Sequence, residues 1–169
     1  MRKRKARAGY TLMELIIAVA IMGIVLLGAP ELFTRIFQFI RLSIATAEIQ
    51  KSARSALSNM NRDIRQARAS SVTVDQISGQ PPYSRITFTK MRDGGSDVLS
   101  YFQRGNRLYL SVNGAEGKLA ADTLRQVYFS YPRSDDSSII SVSITFEKET
   151  YEGGSKALQM AVEKVRIMN

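Results

Sequence analysis

Apolar and polar positions follow three successive patterns along this chain. From Leu15 to Ala29 the residues are apolar all round, interrupted only by Gly23 and Gly28. Counted from Tyr10, that is 20 residues, about the length a helix needs to span ~30 Å of hydrocarbon. Residues 10–30 are therefore expected to form a membrane-spanning helix. From Glu31 to Ala69 there is no Gly or Pro, and Leu42, Ala45, Ile49, Ala53, Ala56, Leu57, Met60, Ile64 and Ala67 recur at intervals of three and four between charged residues. That spacing predicts an amphipathic continuation over 31–69, whose part from Leu42 onward lies against a globular domain. A helix from Leu12 to Arg68 would run roughly 85 Å at ~1.5 Å per residue.

Past Ala69 the period drops to two. Val72 and Val74, Ile86 and Phe88, Leu99 and Tyr101, and Leu108, Leu110 and Val112 read as short strands. They are separated by turn signals at Gly79 to Pro82, Asp93-Gly94-Gly95, Gly105-Asn106 and Asn113-Gly114, which predicts an antiparallel meander. Val127, Phe129 and Tyr131, then Ile140, Val142, Ile144 and Phe146, predict a hairpin with one buried face across the loop at 132–138. The segment 156–168 alternates at Leu158, Met160 and Val162 but has fair helix propensity; it is assigned as a strand. Residues 70–169 thus form a β-rich domain, for which the second half of the long helix is the one substantial cover.

Charge changes the picture at the N-terminus. The formal net charge is +9, yet Arg2, Lys3, Arg4, Lys5 and Arg7 all lie in the first nine residues. Without them 19 basic residues face 15 acidic ones, a net of +4, so the basic balance is mostly a property of residues 1–9 rather than of a nucleic-acid surface. Clustered positive charge before the span predicts a cytoplasmic N-terminus and an exported C-terminal domain. A cleaved secretory signal, with Leu27-Gly28-Ala29 as its small-residue end, and a plain single-span anchor are the competing explanations. Glu14 argues against both: a carboxylate at the bilayer centre costs ~2.5 to 3.5 kcal/mol and less near the interface, so its retention in the apolar run points to a partner.

The stretch Arg7-Ala8-Gly9-Tyr10-Thr11-Leu12-Met13-Glu14-Leu15-Ile16 resembles the class III signal of type IV pilins and pseudopilins: a short basic leader ending in Gly, a hydrophobic first mature residue, then Thr-Leu-x-Glu opening an apolar helix. The resemblance implies a leader over 1–9, cleavage by prepilin peptidase between Gly9 and Tyr10, and methylation of the freed amine of Tyr10. Tyr10 stands where the family more often has Phe. Removal of the leader leaves one amine at the head of an apolar helix, and in a bundle of such helices that amine and Glu14 of a neighbour can neutralise each other where an unpaired charge is disfavoured. Glu14 is thus expected to act in subunit assembly. Pro30 interrupts the helix ladder, and Gly23 and Pro30 resemble the family's zone of helix kinking or melting; a simple Pro-kinked membrane helix is the alternative.

The expected fold class is therefore α+β and pilin-like, a long N-terminal membrane helix whose second half packs on an antiparallel sheet. The stretch Ala56 to Ala67 and the strand-rich layout resemble a minor pseudopilin of the J type or a minor pilin of the W type. The resemblance implies a structural subunit at or near the tip of a type IV pilus or type II secretion pseudopilus. Its implied partners are the inner membrane, prepilin peptidase, other pilins or pseudopilins and the assembly platform. The alternative is a DNA-binding minor pilin of a competence pilus, with nucleic acid as partner and Arg62, Arg65 and Arg68 as candidate phosphate contacts. An exported enzyme is disfavoured, because the chain has no Cys and no His and shows no paired-carboxylate motif. No cofactor is expected. Asp135-Asp136 with Ser134 and Ser137 could offer oxygens to Ca²⁺, but a solvated turn is preferred, and Gly94-Gly95 and Gly153-Gly154 read as hairpin glycines rather than phosphate loops.

Overall fold

A computed structural model describes residues 9–92, 94–150 and 156–168. The basic leader residues Arg2 to Arg7, Asp93 of the first hairpin turn and Gly153-Gly154 lie outside the described residues. The chain divides into two compact units, one ending at Arg41 and one beginning at Leu42, and a single helix, α1 (Leu12–Arg65), contributes to both.

In the first unit α1 is apolar on every side from Leu15 to Ala29, and no residue of its membrane-length window is buried. It is continuous through Pro30. Pro30 has no N–H to offer the Leu26 carbonyl, and Thr34 Oγ1 donates to the Pro30 carbonyl at 2.9 Å. Glu31 and Arg35 form an exposed i,i+4 pair.

In the second unit the stripe expected from the sequence is the buried one: Ala45, Ile49, Ala53, Ala56, Met60 and Ile64 join the core, with Leu42 and Leu57 partly buried beside it. Three of these are alanines, which bring the helix backbone close to the strands beneath. α1 ends at Arg65, four residues short of Ala69, the expected end of the amphipathic continuation. The reason is tertiary: Ala67 forms a β-bridge with Lys90, and the Arg68 amide donates to the Thr89 carbonyl at 2.9 Å. The Arg65 carbonyl, left open at the helix end, accepts from the Met168 amide at 3.0 Å. A 3-10 turn (Ala69–Ser71) follows.

Among the described residues eight strands come next: β1 (Thr73–Asp75), β2 (Arg85–Arg92), β3 (Gly95–Arg104), β4 (Arg107–Val112), β5 (Lys118–Ala121), β6 (Leu124–Ser130), β7 (Ile139–Glu149) and β8 (Lys156–Arg166). They form two antiparallel sheets, β1-β2-β3-β4-β5 and β6-β7-β8. Seven of the eight match apolar alternations in the sequence, including the segment after 156, which is a strand. The eighth, β5, has Leu119 as its one large apolar residue and is held by pairing with β4, Tyr109 opposite Leu119. Gly117 just before it is a packing requirement: a Cβ there would lie 2.8 Å from Phe102 Cζ and 3.1 Å from Tyr109 Cβ, against the stacked Phe102–Tyr109 rings. Between β3 and β4, Arg104 pairs with Arg107, and the two-residue loop takes positive φ at Gly105, as the first position of a II′ turn demands.

The sheets share one core. Ile86, Phe88, Leu99, Tyr101 and Leu108 from the first and Val127, Phe129, Ile140, Val142, Ile144 and Phe146 from the second pack in a single cluster with α1. Their seam is closed by polar groups. Gln103, 3% exposed, donates through Nε2 to the carbonyls of Gly105 (2.8 Å) and Arg125 (3.2 Å). Its Oε1 accepts from the Val127 amide at 3.0 Å. Backbone bonds from Phe129 to Tyr83 and from Leu124 to Asn106 complete the junction.

Candidate functional site

Gly9 and Tyr10 precede the helix in non-helical chain, and Tyr10 is 93% exposed. Gly9 has neither positive φ nor any atom within 4 Å of where a Cβ would stand. Nothing within the described chain therefore requires glycine at this position; a demand for it would have to come from a molecule that grips the bond between residues 9 and 10.

One residue further on the helix begins with a reciprocal cap. Thr11 stands at the N-cap, and Glu14 at the third helical position returns its carboxylate to it. The Thr11 amide donates to Glu14 Oε2 at 2.8 Å, the Thr11 hydroxyl donates to the same oxygen at 3.2 Å, and the Glu14 amide donates to Thr11 Oγ1 at 3.3 Å. Two N–H groups that the first helical turn leaves open are thereby satisfied, and a negative charge sits at the positive end of the helix dipole. The signal was present in the sequence as Thr-x-x-Glu before an apolar run. Reading Glu14 as a lone charge in search of an external partner missed this: within its own chain the carboxylate already accepts from the first peptide N–H after Tyr10.

Glu14 is the sole charged residue between Gly9 and Pro30, and it stays exposed at the head of a helix long and apolar enough to cross a membrane. Gly23 and Gly28 likewise have no atom within 4 Å of where a Cβ would stand, so their small size serves no packing inside the described chain, although each disfavours helix by ~1 kcal/mol relative to Ala. Gly9, Tyr10 and Glu14 thus gather within one turn of the helix start, while Gly23 and Pro30 lie further along the same helix.

The remaining candidates are placed elsewhere. Arg62 and Arg65 are exposed on α1, but Arg68 lies beyond its end, where its amide is bonded to β2, so the three do not form one helical stripe. In the 132–138 loop Asp135 pairs with Arg133 at 3.0 Å, and Asp136 accepts from the amide and hydroxyl of Ser138 at 2.9 and 2.5 Å. Those Ser138 bonds hold the Asp136 carboxyl below its ordinary range.

Sequence reasoning also missed a buried polar cluster in the second unit. Asp63 on α1, 5% exposed, accepts from Lys90 Nζ at 2.8 Å and from the Tyr101 hydroxyl at 2.7 Å. Burial first, and after it the Asp63 carboxylate, push the Tyr101 phenol well above the usual tyrosine range. Each residue comes from a different element, so no local spacing announces the cluster.

Residues 4–30 match the family described as the prokaryotic N-terminal methylation motif. No curated protein matches the chain, and no solved structure matches it. The match supports a type IV pilin-like or pseudopilin subunit, and the observed layout, one long N-terminal apolar helix followed by antiparallel sheets, is α+β and pilin-like.

Proposed function

We propose that the chain is a minor pilin or pseudopilin, a structural and interaction subunit rather than an enzyme. Prepilin peptidase would cut it between Gly9 and Tyr10, methylate Tyr10, and so release it for assembly at or near the tip of a type IV pilus or type II secretion pseudopilus. Before assembly residues 10–30 hold it in the inner membrane, with the basic leader in the cytoplasm and the β-rich unit exported.

The observation that carries this proposal is the exposed, non-helical Gly9–Tyr10 bond immediately before the Thr11–Glu14 cap, inside the matched segment. A peptidase needs extended chain, and the cap sets where extended chain stops. Cutting there removes five positive charges and leaves an amine one residue from the Glu14 carboxylate's own hydrogen-bond donor. Glu14 has two oxygens, and the cap occupies Oε2, so Oε1 remains for the amine of a neighbouring subunit's Tyr10. Gly23 and Pro30 mark the stretch of α1 that loosens on packing into a filament.

Mass spectrometry of the protein from its native membrane tests the proposal. The expected product begins at Tyr10 and carries one added methyl group, and Gly9→Val retains the leader. A Gly9→Val protein of mature mass, or a wild-type chain cut after Ala29, would reject it.

A further inference from the structure

β8 is the outer strand of its sheet: 11 residues long, paired with β7 on one side, and with no strand on the other among the described residues. Long exposed edges invite strand addition, and proteins ordinarily blunt them with charge, proline or a covering element. Here the middle of β8 is left apolar on its outer face, where Leu158, Met160 and Val162 are 54%, 60% and 57% exposed.

The other face of β8 borders a groove of about 540 Å³ against α1, into which Glu163 projects opposite Arg54, Arg62 and Arg65. Glu163 is already bonded to Asn61 Nδ2. Arg54 and Arg65 meet no carboxylate among the described residues, and Arg62 reaches only Asp63 at 3.9 Å, whose two oxygens are taken by Lys90 and Tyr101. The groove is therefore basic, and Arg54 and Arg65 have no carboxylate partner among the described residues.

From these two faces we propose that β8 and the α1 groove bind an extended segment of another protein that adds to β8 as a further strand, with apolar residues and carboxylates alternating along it. Successive side chains of a strand point to opposite sides. The apolar set of the incoming strand lies beside Leu158, Met160 and Val162, and the carboxylates between them enter the groove toward Arg54, Arg62 and Arg65. Backbone pairing supplies affinity and the alternation supplies selectivity.

A second copy of this chain does not fit. Antiparallel self-pairing of β8 that keeps its three apolar residues together, Leu158 opposite Val162 and Met160 opposite itself, sets Lys156 against Lys164, twice over by symmetry, and like charges directly opposite are unfavourable. The other outer strands fit no better: β1 has three residues, β5 begins at Lys118, and the outer side of β6 is already bonded to the first sheet and its flanking loops through the Leu124, Val127 and Phe129 amides. The inference concerns the second unit alone and stands apart from processing at Gly9.

The experiment uses the full chain in detergent micelles and a fluorescent peptide alternating valine and glutamate, about ten residues long to match a strand. Anisotropy reports binding, and amide hydrogen exchange reports protection along β8. Saturable binding with slowed exchange in β8 is expected. At least about tenfold weaker binding is expected for a valine–lysine peptide, for a peptide carrying proline at its centre, and for Arg54→Glu/Arg65→Glu, whose substituted residues are exposed. No binding, equal binding of the lysine peptide, or binding without protection of β8 would overturn the proposal. So would self-association of the chain that protects β8 without peptide, since the occupant would then be a second copy.

Discussion

The hydroxyl of Tyr101, on β3, donates to Asp63 Oδ2 at 2.7 Å, joining the first sheet to α1 inside the core. Lys90 Nζ holds the other oxygen at 2.8 Å from β2. The carboxylate is thus buried among core residues with a cation on one side and a phenol on the other, and the helix cannot slide along the sheet without leaving a charge unpaired.

Tyr101→Phe removes one donor and leaves Asp63 less satisfied. A loss of about 1.5–3 kcal/mol is expected, the range for a hydrogen bond to a charged group. Asp63→Asn leaves Lys90 without its counter-charge and is expected to cost a similar amount or more. Denaturant unfolding of the single and double variants gives a cycle whose coupling should exceed about 0.5 kcal/mol. Simple additivity would mean that the two side chains touch without stabilising each other.

Alkaline pH should expose the same contact. The folded phenol of Tyr101 ionises well above its unfolded counterpart, through burial and Asp63, so above about pH 10 the unfolded chain releases a proton that the folded chain keeps. The stabilisation is whole below that range and declines as pH rises beyond it. Absorbance of phenolate during titration should show Tyr101 ionising only with unfolding, and Tyr101→Phe should flatten the alkaline loss of stability.

Gln103 closes the seam between the sheets, and Gln103→Ala would leave the Val127 amide and Arg125 carbonyl without their partners. Stranding a buried polar group costs about 1–3 kcal/mol, so a loss of roughly 2–6 kcal/mol is expected for the pair. Hydrogen exchange should localise the change to β6 before β7. Uniform acceleration across both sheets would show that the seam carries no special share of stability.

Glu14 has two roles that different substitutions separate. Glutamine can keep the reciprocal cap with Thr11 but not the charge, valine keeps neither, and Thr11→Ala keeps the charge at a cost of about 1 kcal/mol in the cap. If the carboxylate pairs with a neighbour's amine, Glu14→Gln and Glu14→Val should both be inserted and processed yet recovered poorly with filament partners by crosslinking, while Thr11→Ala assembles. Rescue by glutamine would assign Glu14 to the cap alone.

The linear order of residues determined by itself what local periodicity can encode. The all-apolar run up to Ala29, the stripe from Ala45 to Ile64 and the alternation in β2, β3, β6 and β7 each announce a structure through spacing over a few residues, because burial of one face is decided turn by turn or pair by pair. The Thr11–Glu14 cap was legible in the same way, as two residues three apart. Tertiary structure alone decided where α1 ends, since Ala67 and Arg68 are captured by β2 against their helical propensity. It alone assembled Asp63 with Lys90 and Tyr101, placed Gln103 across the seam, and formed β5 from a stretch with little apolar pattern. Those contacts join residues up to about forty positions apart, and no local spacing records them; they exist because a buried polar group must find its partner wherever the packed core brings one within reach.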